Sequence, residues 1–132
     1  MTAVDSDLEA ARVVEANQAF YNAFNARDTV AMAALWSEGV PVACVHPGWA
    51  AVAGRANVLT TWDAIMANPD QPRILVGAAE AFVTGESAWV LCRELVGGAP
   101  LAATNLFTRQ DGRWRLVHHH SSPVSFVAED LQ

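Results

Sequence analysis

Lysine is missing from this chain of 132 residues: all eight basic residues are Arg, against fourteen acidic ones, for a formal net charge of -6. That absence closes every mechanism needing a lysine amine, including Schiff-base chemistry, lysine-linked pyridoxal and a P-loop lysine. The acidic balance repels phosphate backbones and anionic membranes, so neither nucleic acid nor a membrane surface is an expected partner. Cysteine is scarce. Cys44 and Cys92 lie far apart without CxxC or Cys/His spacing, and are expected to be reduced, buried thiols. No apolar run reaches the length of a membrane span, and Met1–Asp7 has no basic region leading into an apolar one, so the expected location is cytoplasmic. Tyrosine occurs once, as Tyr21, against five tryptophans (Trp36, Trp49, Trp62, Trp89, Trp114), a weighting that needs a structural or a binding explanation.

What is present is globular. With 52% hydrophobic and 17% charged residues, residues 1–132 are expected to form one domain that buries roughly two-thirds of its unfolded surface without staples. Ser6-Asp-Leu-Glu9 has the form of a capping box, predicting a helix from there to about Ala26 with apolar positions at Val13, Ala16, Phe20 and Phe24. Asp28 reads as the N-cap of a second helix ending near Trp36, with Gly39 available as a left-handed stop. Val40 to His46 contains Pro41 and reads as an edge strand. Arg55 to Ala67 returns to helical spacing and stops at Asn68-Pro69. Four extended runs follow, Arg73–Val83, Ala88–Val96, Leu101–Arg109 and Arg113–Ser121, so the pattern is α+β with helices on one face of an antiparallel meander.

The turns set a register. A two-residue turn at Asp111-Gly112 pairs Phe107 with Leu116, Asn105 with His118 and Ala103 with His120, and a loop over Gly97-Gly98-Ala99-Pro100 sets Glu94 opposite Ala103. One face then carries Cys92, Glu94, Asn105, Phe107, Trp114, Leu116, His118 and His120. The other carries Trp89, Leu91, Arg93, Leu95, Thr104, Leu106, Arg115, Val117 and His119. A slip of one residue exchanges the faces.

The segments Leu35-Trp36-Ser37-Glu38, Val45-His46-Pro47-Gly48-Trp49, Gly54-Arg55-Ala56-Asn57-Val58 with Trp62, Ala103-Thr104-Asn105-Leu106-Phe107 and Trp114 to Ser122 carry a resemblance. The chain resembles the nuclear transport factor 2-like superfamily, in its SnoaL-like branch with the ketosteroid isomerase relatives. That resemblance implies a cone-shaped barrel, a pocket between the sheet and the long first helix, and commonly a dimer through the outer sheet face. It does not fix a reaction. The apolar outer residues Trp89, Leu91, Leu95, Leu106 and Val117 independently motivate a homodimer.

On the inner face a carboxylate, an amide and imidazoles converge on apolar surroundings, the composition of a small-molecule pocket. Glu94 beside His118 or His120, with His46 at the end of the first strand, makes a set for acid/base catalysis; the same groups also serve as a polar layer that only satisfies itself. Expected ligand contacts are Asn105 as a donor to a carbonyl, Phe107, Phe20 and Tyr21, and the wall or lid residues Trp36, Trp49 and Trp62, of which Trp62 at helical spacing reads equally as core. Strand alternation allows at most two of His118, His119 and His120 at one site, so no metal and no other cofactor is expected. A ketosteroid isomerase-like site needs a carboxylate base with a phenol or neutral acid as donor, and here the only phenol is Tyr21, on the first helix, with no second acid in the donor's place; an epoxide hydrolase's Asp-Arg-Asp triad is not visible either, and the residue types resemble most a dehydratase that works with histidines and a carboxylate. The expected function is binding of a small, largely apolar molecule, as an isomerase, cyclase or dehydratase; the alternative is a non-catalytic ligand-binding or association module.

Overall fold

The computed structural model describes residues 3–125. Helix α1 spans Ala3–Ala26, so Ser6 lies inside the helix and not at its cap. Its buried stripe includes Val13, Asn17, Phe20, Tyr21 and Phe24. The helix ends on Arg27 in the left-handed region (φ 54), whose guanidinium then ties the Met66, Asn68 and Gln71 carbonyls at the end of the third helix. Asp28 caps α2 (Thr29–Leu35) by accepting from the Ala31 amide at 3.0 Å, as its position predicts. Helix α3 is Arg55–Ala67 and buries Val58, Trp62 and Met66.

The sheet has six strands in the order β2-β1-β6-β5-β4-β3 and is not closed. Strands β3 (Ile74–Thr84), β4 (Ser87–Val96), β5 (Ala99–Gln110) and β6 (Arg113–Pro123) form the expected antiparallel meander. Strand β1 (Ala43–Val45) runs parallel to β6, and β2 (Val52–Ala53) pairs on its far side. The first strand is therefore internal and the sheet mixed; Pro41 stays outside β1, which leaves both of its edges free to bond.

Two register findings decide which side chains face inward. At the β4–β5 hairpin Val96 pairs with Ala99, so the turn is the two residues Gly97-Gly98, both at positive φ. Glu94 thus opposes Leu101, two residues from the expected partner, an even shift that leaves every face unchanged. Between β5 and β6 the Asp111-Gly112 turn pairs Phe107 with Leu116 as expected, but Leu106 pairs with His118 and Asn105 with His119. Val117 is one extra residue on β6. This bulge is an odd shift, and beyond it the faces exchange: His119 and Ser121 are buried, His118 is half-buried and His120 exposed.

Candidate functional site

A cavity of about 600 Å³ opens between α3, the loop after β1, the shared turn end of β4 and β5, and the C-terminal end of β6. Its walls are Phe24, Trp62, Ile65, Leu101 and Val96; Trp49, half exposed, stands at the mouth; Glu94, His119 and His46 supply the inner polar groups. No positively charged side chain lines it. The expected pair His118 and His120 lies on the other side of the sheet, because of the Val117 bulge. The residue that replaces them is His119, which the alternation rule had sent outward.

The orientation of His119 follows from a chain of hydrogen bonds. The Tyr21 hydroxyl donates to Glu94 Oε2 at 2.6 Å, and Ser121 donates to Glu94 Oε1 at 2.6 Å. With its one proton spent, Tyr21 accepts from Asn105 Nδ2 at 3.1 Å, and the same amide donates to Asn17 Oδ1 at 2.7 Å. Asn105 is thereby fixed with Oδ1 toward His119 Nδ1, 2.5 Å away, and a carbonyl oxygen requires a proton on that nitrogen. The neutral ring then leaves Nε2 bare, 4.0 Å from Glu94 Oε2. Burial, with smaller contributions from His46, His118 and His120, pushes the His119 pKa down to about 3.

His46 is held in a comparable way. Thr61 donates its hydroxyl proton to the Val58 carbonyl at 2.7 Å, so His46 Nε2–H donates to Thr61 Oγ1 at 2.8 Å. Burial lowers the His46 pKa to about 4. Its ring packs against Trp49 and Trp62, and Trp62 in turn touches His119, Phe20 and Phe24. Trp62 is thus core and cavity wall together, and its indole N–H is buried with no acceptor among the described residues.

The other expected ligand contacts divide. Tyr21 and Asn105 are fully buried behind His119, and Asn105 orients that ring instead of reaching a ligand carbonyl. Phe20 and Phe107 are core. Trp36 is buried at the opposite end of the fold, beside a polar cleft lined by Arg55, Arg113 and Arg115. Trp114 donates to Glu9 at 2.8 Å, which holds that carboxyl below its ordinary range, and Trp89 stacks on Phe82 on the outer face. Both thiols are buried, and burial pushes Cys44 up to about 12 and Cys92 upward, so neither is a nucleophile. Asn17 and Ser121, absent from the expected set, complete the network. Asn17 was legible: it stands one turn before Tyr21, on the same helix face.

Helices packed on a curved six-stranded sheet, with a cavity between them ending on buried polar groups, define the nuclear transport factor 2-like class of α+β proteins. The profile of the SnoaL-like domain matches residues 13–126, and the chain belongs to that family. Among solved structures it is similar to a candidate dehydratase of the NTF2-like family from Streptomyces avermitilis, with 37% identity, TM-score 0.84, and coverage of 91% of this chain and 99% of that one. A candidate calcium/calmodulin-dependent protein kinase type II association domain from Thiobacillus denitrificans is 32% identical, with TM-score 0.74 and coverage of 83% and 93%. The F-box protein SKIP8 of Arabidopsis thaliana is 30% identical over 112 residues, 83% of this chain; the chain spans about half, 48%, of that relative's length. No helix among the described residues is long and apolar enough to cross a membrane.

Proposed function

We propose that the cavity binds a small, largely apolar molecule carrying a hydroxyl and a carbonyl, and that His119 moves a proton on it in a dehydratase or isomerase reaction. The observation that carries this reading is the 4.0 Å gap between His119 Nε2 and Glu94 Oε2. Both atoms are acceptors and the gap exceeds a hydrogen bond, so the group that suits it is a donor: a hydroxyl, or a carbon acid beside a carbonyl. The lack of a cationic side chain in the lining disfavours an anion.

In the dehydration of a β-hydroxy carbonyl compound, His119 Nε2 takes the α-proton and delivers it to the departing hydroxyl; the C–H and C–O bonds break, the C=C bond forms and water leaves. Asn105 keeps the ring in the tautomer that makes Nε2 the base. Glu94 Oε2, 4.0 Å from Nε2, is placed to stabilise the imidazolium formed between the two transfers. The Streptomyces relative, named as a candidate dehydratase, supports this reaction class. Native mass spectrometry and turnover assays against planar hydroxy-carbonyl compounds test it. His119→Gln is expected to keep ligand binding and lose turnover by roughly 10²- to 10⁴-fold. Unchanged turnover in that variant removes His119 from the reaction.

A second reading, an association module whose polar layer only shapes the interior, is favoured by the likeness to the kinase association domain. Binding without turnover by any member of the panel selects it. In either reading we propose a homodimer through the outer sheet face, where Trp89, Leu91 and Leu95 are 37%, 44% and 40% exposed. Sedimentation is expected to give a dimer at micromolar concentration and a monomer for Leu91→Arg; a monomeric parent protein contradicts the dimer.

A further inference from the structure

The Val117 bulge that brings His119 into the cavity leaves His118 and His120 as an i, i+2 pair on the outer face of β6, a motif that the cavity does not use. Their rings lie side by side with centroids 6.1 Å apart, one edge toward the other's face. Ala43 on the neighbouring β1 stands opposite His118. The His120 ring is exposed and makes no hydrogen bond to another described residue. Flanking residues on the same face are uncharged: Leu106 and Ala43 pair with His118, Thr104 and Val45 with His120.

The geometry points to a bidentate site for a borderline divalent transition metal at His118 and His120, with water completing the coordination. Two imidazoles on one strand face suit Cu(II), Ni(II) and Zn(II), and Cu(II) binds most tightly by the general order of stability. Calcium and magnesium are excluded by the lack of oxygen ligands. The described residues bring together no group of three His, Cys, Asp or Glu, so the ion keeps open positions and the site is an exchangeable surface chelate, not a closed structural centre. The pair stands two strands from Trp89 and Leu91 on β4, about 10 Å away at the usual strand spacing, at the edge of the apolar patch.

Titration of the whole protein with Cu(II), read by electron paramagnetic resonance and calorimetry, tests the site. One Cu(II) per chain with the superhyperfine pattern of two imidazole nitrogens is expected. His118→Gln and His120→Gln are each expected to weaken binding at least roughly tenfold and to leave a one-imidazole spectrum, and the double variant to bind none. Far-ultraviolet circular dichroism confirms that each variant is folded, and the nitrogen count in the parent protein stands independently of any variant. A two-imidazole spectrum that survives in the double variant, or a parent spectrum without two imidazoles, overturns the proposal.

Discussion

Between pH 6.5 and pH 4 the folded protein is expected to lose several kcal/mol of stability. The cause is proton linkage. His46 and His119 have folded pKa values lowered by burial to about 4 and about 3, against an ordinary 6.5, so the unfolded chain binds protons in this window that the folded chain refuses. Stability therefore rises with pH across the window and levels off above it. Each ring contributes up to about 1.4 kcal/mol per pH unit, so the two together reach a sizeable share of the 5–15 kcal/mol that holds a typical domain. Glu9, held below its ordinary 4.5 chiefly by Trp114, adds a further loss at still lower pH as it is forced to take a proton. Denaturant titrations at half-unit steps of pH check this. A stability flat from pH 7 to pH 5 contradicts neutral, buried imidazoles.

Replacing Glu94 by Ala is expected to destabilise the fold by about 2–5 kcal/mol, since the buried hydroxyls of Tyr21 and Ser121 both lose their acceptor. Glu94→Gln keeps the volume and one acceptor, and is expected to lose only about 1–2 kcal/mol. The two variants also separate function from folding. With Gln at position 94 the protein folds, but the imidazolium on His119 has no carboxylate beside it, so turnover falls while ligand binding persists. Equal stabilities for Glu94→Ala and the parent protein in urea contradict the network.

The sequence displays the elements more clearly than their alignment. Asp28, the Asn68-Pro69 stop and the Gly-containing turns punctuate the chain strongly, so the helices and the four long strands fall close to where pattern reading puts them. Glu94, Asn105 and Leu116 face inward as expected, because the error at the Gly97-Gly98 turn is even. The Val117 bulge is different. No glycine marks it, Val is an ordinary strand residue, and three successive histidines read the same in either register, so nothing local distinguishes His119 from its neighbours. What specifies the register is tertiary: Asn105, already oriented by Tyr21 and Asn17, presents an acceptor that only His119 meets. The internal place of β1 was hidden for a related reason, since a three-residue strand beside Pro41 carries too little pattern to reveal a partner on each side.

The arrangement stands or falls on the protonation of one ring. Long-range proton–nitrogen correlation spectra of uniformly ¹⁵N-labelled protein report the tautomer and charge of each histidine directly, with no substrate required. For His119 the expected spectrum is that of a neutral ring carrying its proton on Nδ1, unchanged from pH 7 down to at least pH 5. A His119 ring protonated on Nε2, or one titrating near its ordinary 6.5, contradicts the assignment of His119 as the base at the cavity wall.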